Sequence, residues 1–230
     1  MIGVYDYTVI LTYLSLLSGC AGMIISMSGF GHPYLGMLCM LFSGLMDAFD
    51  GRVARTKKGR TQLERDFGVQ IDSLSDLVAF GVLPAAVGIS LLRSSPLFSD
   101  MPYRLETGKM LWYPVILILI AMLYVLAAMI RLAYFNATLS EREGEKRSRG
   151  SEYFTGLPVT TAALVFPLVL VLHYYLRFDL SIVYFGVMML MALLFLLNFK
   201  IKKPGRKTIL LLVLAGILEL LMFAVIKASH

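Results

Sequence analysis

Four aspartates are the residues in this chain whose spacing most clearly implies chemistry. They stand in two runs: Asp47-Ala-Phe-Asp50-Gly51-Arg52-Val53-Ala54-Arg55, and Gly68-Val-Gln-Ile-Asp72-Ser-Leu-Ser-Asp76. Residues three and four apart share one face of a helix. Asp47, Asp50, Gly51 and Ala54 therefore form one stripe, and Gly68, Asp72 and Asp76 form another. Both runs adjoin long apolar stretches, where a single membrane-embedded carboxylate costs at least about 2.5 kcal/mol. Clustered carboxylates also repel one another. Divalent cations answer both problems. An oxygen-only ligand set favours Mg²⁺ or Mn²⁺, with Ca²⁺ also suited, over zinc. Four carboxylates suit two ions about 3.5–4 Å apart, a geometry that clamps a phosphoryl group in transit. Gly51, Ala54 and Gly68 leave room for a ligand against the backbone, and Arg55 is placed to pair with phosphate.

The elements that must hold these stripes are membrane spans. The chain has 230 residues, of which 58% are apolar and only 16% charged, and its mean hydropathy is +0.77. Soluble domains carry about 25% charged residues, so a soluble globular class is excluded. A span needs about 20 apolar residues. The pattern predicts seven, near 7–27, 33–49 (continuing as a more polar helix to about 55), 68–92, 111–139, 156–176, 180–199 and 208–226. The last carries Glu219. The expected fold is an all-α polytopic membrane protein, a single catalytic domain over 1–230, with the site on helices near 33–55 and 68–92.

Lysines and arginines concentrate in three connections: Arg52 to Arg65, Arg142 to Arg149, and Lys200 to Lys207. The opposite connections hold few: Arg93, Arg104, Lys109, Arg177 and Lys227. The positive-inside rule makes the rich side cytoplasmic, together with the N-terminus and the aspartates. Topology accounts for the net charge of +6, and no nucleic-acid partner is expected. Met1 to Tyr7 lacks the basic start of a cleavable leader. Cys20 and Cys39 sit in apolar runs and read as small buried residues. His32, His173 and His230 have no metal-ligand spacing.

The two aspartate runs resemble the signature of the CDP-alcohol phosphotransferase family, D-x-x-D-G-x-x-A-R, a spacer, then G-x-x-x-D-x-x-x-D. Every fixed position is met. The spacer, 56–67, is twelve residues here where the family commonly has eight. The resemblance implies that an alcohol attacks the β-phosphorus of a CDP-linked substrate and CMP leaves. It implies two divalent ions on Asp47, Asp50, Asp72 and Asp76, with Asp76 also the general base. It places the donor against Gly51, Ala54, Arg55 and Gly68, with Thr61 and Asp66 as further donor contacts. It also implies a homodimer.

Segments further along resemble the branch of that family that accepts serine. They are Leu74-Ser-Asp-Leu-Val-Ala-Phe-Gly-Val-Leu-Pro84, Arg131-Leu-Ala-Tyr-Phe-Asn136, Tyr153-Phe-Thr-Gly-Leu-Pro158 and Asn198-Phe-Lys-Ile-Lys-Lys-Pro204. Tyr134 stands where that branch commonly has a second arginine. The resemblance implies CDP-diacylglycerol and L-serine as substrates in a prokaryotic inner membrane, among its lipids. It makes Arg131, Asn136, Thr155, Lys202 and Lys203 the acceptor and phosphate contacts. Two other readings stay open: the same chemistry with glycerol 3-phosphate or an inositol phosphate as acceptor, and a cation transporter.

Overall fold

The computed structural model describes residues 3–28, 33–95, 112–138, 153–176, 179 and 181–202, with Leu214, Gly216, Leu218, Leu221 and Met222 beyond them. These residues are helical apart from connecting turns and one small ribbon. Helix α1 is Ile10–Met27, α2 is Pro33–Ala54 and α3 is Gln62–Asp76. A wide π-helical turn, Leu77–Val82, carries α3 without a break into α4, Leu83–Ser94. Helix α5 is Trp112–Ala137, α6 is Ala162–Leu176 after a 3₁₀ turn at Val159–Thr161, and α7 is Ser181–Leu196. Strands β1, Tyr153–Thr155, and β2, Lys200–Lys202, pair antiparallel with Tyr153 opposite Lys202 and Thr155 opposite Lys200.

Among the described residues, three helices are long and apolar enough to cross a membrane: Ile10–Met27, the continuous Gln62–Ser94, and Pro114–Ala137. Val159–His173 and Ser181–Leu196 are apolar but shorter. The expected seventh span, 208–226, falls outside the described residues except for the few helical ones named above. Of these, Gly216 lies against Leu164 of α6 and Leu41 of α2.

Two departures from the sequence expectation have clear physical causes. The helix expected to open near residue 68 opens at Gln62. Thr61 and Glu64 form a capping box, in which Thr61 Oγ1 accepts from the Glu64 amide at 3.2 Å and Glu64 Oε2 accepts from the Thr61 amide at 2.9 Å. Two of the helix's first unpaired amides are thereby satisfied. The connection between the aspartate helices shortens to residues 55–61. The all-helical expectation also omitted the β1–β2 ribbon, which joins the segment before α6 to the segment after α7.

The π turn follows from Pro84. Proline has no amide hydrogen, so it cannot bond the carbonyl four residues back. That carbonyl belongs to Phe80, and the Tyr124 hydroxyl of α5 donates to it at 2.6 Å. The Tyr184 hydroxyl of α7 donates to the Pro84 carbonyl at 2.9 Å. Both tyrosines are fully buried, and Phe166 packs between them at ring separations of 5.4 and 5.0 Å. This aromatic core of α5, α6 and α7 fixes the half of the α3–α4 rod that lies beyond the aspartates.

Helix α1 packs along both halves of the rod. Its buried face is Thr12, Ser15, Gly19, Gly22 and Ser26, a stripe of small residues at helical spacing. Such stripes let backbones approach in a membrane, and their hydroxyls must find partners there. A Cβ at Gly22 would lie 2.9 Å from Cys39 Cβ. Ser43 Oγ donates to the Ser15 carbonyl at 2.9 Å, Ser18 Oγ to the Cys39 carbonyl at 2.8 Å, and Ser90 Oγ to the Ser26 carbonyl at 2.6 Å. Serine-to-carbonyl bonds thus stitch α1 to both α2 and α4. Cys20 and Cys39 are free thiols, each half-buried.

Candidate active site

The α2 and α3 stripes meet. Carboxylate oxygens of Asp47, Asp50 and Asp72 lie within 4.8 Å of one another. Asp76, only 8% exposed, closes the group from one turn deeper. Its carboxyl sits against that of Asp47, and the Asp72 carboxyl against that of Asp50. The fourfold spacing on α3 is regular through Asp76, and the wide turn begins at the next residue.

Thr12 of α1 secures both sides of this group. Its hydroxyl donates to Asp50 Oδ2 at 3.1 Å, while its carbonyl accepts from Ser75 Oγ at 3.2 Å. The first bond fixes a carboxylate on α2. The second fixes the residue before Asp76 on the other wall. The aspartate spacing alone did not reveal either residue. The signal that could have found Thr12 is the small-residue stripe of α1, which begins with it.

The donor chemistry fits hard divalent cations. Three carboxylates that converge this closely repel one another unless some hold protons or positive charge lies among them. All the offered atoms are oxygens, which suits Mg²⁺, Mn²⁺ or Ca²⁺.

Beside the cluster the backbone is open at Gly51 and covered at Gly68. A Cβ at Gly51 would meet only the Arg55 guanidinium, at 3.8–3.9 Å. Arg55 is exposed, and its charge acts on Asp50. A Cβ at Gly68 would lie 3.0 Å from Arg60 Nη2. Ala54 offers its carbonyl to Arg60 Nη1 at 3.5 Å. The two residues expected as further donor contacts have local partners: Thr61 caps α3, and exposed Asp66 accepts from Gln62 Nε2 at 2.8 Å.

The expected acceptor residues divide. Asn136 Oδ1 accepts from Ser73 Oγ at 3.1 Å, which brings α5 beside the residue that follows Asp72. Arg131 is buried, and its Nε donates to the Leu157 carbonyl at 3.2 Å. Its guanidinium covers Gly156, where a Cβ would come 3.1 Å from Nη1. Gly156 has a φ of +69° and donates its amide to the Phe199 carbonyl at 2.6 Å. Thr155 and Lys202 lie in the ribbon that begins there. Lys203 is outside the described residues.

A charged clasp holds the 55–61 connection to the start of the chain. Lys57 Nζ lies 2.6 Å from Asp6 Oδ2 and 2.7 Å from Glu64 Oε1, and the Thr56 and Tyr7 hydroxyl oxygens lie 3.2 Å apart. The hydrogen bond from Lys57, with help from Thr8, draws the Asp6 carboxyl down from 3.8 to about 2. A depressed carboxylate stabilises the fold above its unfolded pKa, and that contribution fades as pH falls through the folded one. Hydrogen exchange should therefore find the Thr8 amide, bonded to Asp6 Oδ1 at 2.9 Å, protected at neutral pH and open near about pH 2. Lys57→Met should move that loss to higher pH. Equal protection across the range would exclude the clasp.

The model of the CDP-alcohol phosphatidyltransferase family matches residues 8–198. The chain is 34% identical over 162 residues to the CDP-diacylglycerol–serine O-phosphatidyltransferase of Saccharomyces cerevisiae, covering 66% of this chain and 50% of that one. It is 30% identical over 152 residues to the enzyme of the same name from Mycobacterium tuberculosis, covering 66% and 45%. It is 31% identical over 182 residues to the archaetidylserine synthase of Methanothermobacter thermautotrophicus, covering 79% and 65%. The chain thus spans about half the length of the first two relatives.

Proposed function

The chain belongs to the CDP-alcohol phosphatidyltransferase family, and from that premise we propose that it transfers the phosphatidyl group of CDP-diacylglycerol to L-serine, giving phosphatidylserine and CMP. The observation that carries the reading is the convergence of Asp47, Asp50 and Asp72 at the mouth formed by Gly51, Arg55 and Gly68. A diphosphate needs a cluster that can hold cations, and a nucleotide needs open backbone beside it. Serine as acceptor is supported by the names of the relatives above, which share serine although their lipids differ.

In this reading Asp47, Asp50, Asp72 and Asp76 hold two divalent ions, Mg²⁺ or Mn²⁺. The ions, when bound, neutralise the diphosphate and the departing CMP. Thr12 keeps Asp50 aimed into the cluster. The serine hydroxyl oxygen forms a bond to the β-phosphorus, the bond from that phosphorus to the oxygen retained by CMP breaks, and Asp76 takes the hydroxyl proton. A positioned base of this kind contributes about 10²–10⁴ in rate. Arg55 meets phosphate, and the cytidine lies along Gly51, Ala54 and Gly68. The acceptor and phosphate contacts in this reading are Arg131, Asn136, Thr155, Lys202 and Lys203, with Arg131 the candidate partner for the serine carboxylate.

The larger setting belongs to the same proposal. The whole chain forms one catalytic bundle of about seven spans, the last near 208–226. It works as a homodimer in a prokaryotic inner membrane, with the aspartates and the 55–61 connection at the cytosolic face. That depth lets acyl tails stay in the bilayer while the head group reaches water.

The deciding assay offers purified protein CDP-diacylglycerol and Mg²⁺ or Mn²⁺, with serine, glycerol 3-phosphate or an inositol phosphate in separate reactions. CMP release should require serine and metal. Release driven by another acceptor would replace serine, and release without metal would remove the role given to the carboxylates.

A further inference from the structure

We propose that Arg60 is a binding residue for the phosphates of the cytidine nucleotide, an inference that rests on the nucleotide-transfer reading above. Arg60 lies in the 55–61 connection, where Nη1 donates to the Ala54 carbonyl at 3.5 Å and Nη2 to the Glu64 carbonyl at 3.0 Å. The side chain therefore bridges the end of α2 and the first turn of α3. Its Nη2 also overhangs Gly68. Gly68 stands one helical turn from Asp72 on the same face, about 6 Å along the axis. The guanidinium is thus a cation on the acidic stripe, at its outer end.

Two observations mark it as more than a staple for the turn. Its Nε is shut off from solvent and has no acceptor among the described residues. A donor that has given up water without gaining a partner is unfavourable. Its bonded partners are also both neutral carbonyls. The nearby carboxylate that might have paired with it, Glu64, is taken by Lys57 and by the Thr61 amide. A guanidinium fork is matched best by a carboxylate or a phosphate. Nucleotide phosphates seated on the Asp47–Asp50–Asp72 cluster and extending one turn outward reach Arg60. The guanidinium then exchanges weak carbonyl contacts for phosphoryl oxygens, with no bond made or broken in the substrate.

The test compares full-length wild-type protein with Arg60→Met and Arg60→Lys, in Mg²⁺ or Mn²⁺. CMP affinity is measured by calorimetry, KM for CDP-diacylglycerol and serine by CMP release, and thermal stability alongside. Arg60→Met should weaken CMP binding by about tenfold or more, the size of a lost charged hydrogen bond. It should raise the KM for CDP-diacylglycerol in parallel, with the serine KM and melting temperature unchanged. Arg60→Lys, which keeps the charge but not the fork, should fall between. Unchanged CMP affinity in Arg60→Met would overturn the assignment. So would equal losses for both substrates together with a lower melting temperature, the signature of a staple alone. Wild-type protein that bound no CMP would remove the nucleotide reading itself, and this inference with it.

Discussion

Asp76→Asn protein is expected to fold and bind CMP much as the wild type does, yet turn over serine at least about a hundredfold more slowly, in line with loss of a general base. Asn is nearly isosteric with Asp, so the packing around this buried position survives. The amide can still hydrogen-bond to Asp47, the carboxylate against which Asp76 sits. The variant loses the ability to accept a proton from an attacking hydroxyl. The measurement is CMP release under saturating serine, with CMP affinity by calorimetry as the control for the nucleotide site. A wild-type rate would remove Asp76 from the chemistry. A collapse of CMP affinity would make it chiefly a cation ligand.

The second large effect is expected at Gly156, away from the aspartates. Its φ of +69° lies in the left-handed region, which costs a residue with a Cβ about 1–2 kcal/mol. An added Cβ would also stand 3.0 Å from the Leu197 carbonyl oxygen and 3.1 Å from Arg131 Nη1. Leu197 directly follows α7 and its amide is bonded to the Leu193 carbonyl, so its oxygen cannot retreat cheaply; the guanidinium must move and its bond to the Leu157 carbonyl is lost. Gly156→Ala should therefore raise the serine KM by about tenfold or more, the cost of one misplaced charged contact. CMP affinity should stay near the wild-type value. A normal serine KM in this variant would separate Arg131 from the acceptor.

The chemistry-bearing part of the structure was readable because carboxylates in an apolar chain are rare and costly. Their three- and four-residue spacing determines a face without tertiary knowledge, and Asp47, Asp50 and Asp72 do converge. The ends of α2 and α5 were also legible, since their apolar runs stop at polar residues. Thr12 and Ser75 were not, because a hydroxyl in a span reads as neutral filler until its partner is known. The capping box at Thr61 and Glu64 is present in the sequence as a spacing, and it places Thr61 at the start of α3. The π turn depends on a tyrosine 40 residues beyond Pro84, and the ribbon on pairing between segments separated by two helices. Long-range partners of that kind leave no periodicity to detect.

The wide turn at Leu77–Val82 has a consequence for the rod as a whole. An ordinary helix advances about 100° per residue, so a single supernumerary residue rotates everything beyond it by a little over a quarter of a revolution. Gly88, twelve residues past Asp76, would stand about 120° away from it on an ordinary helix; the extra residue brings it to within about 20°, where it presses against Tyr184. One unbroken cylinder has two independently aimed ends, one free to answer to charge and the other to shape. Pro84 and the Tyr124 hydroxyl fix the offset between them, as a key fixes a wheel on its shaft.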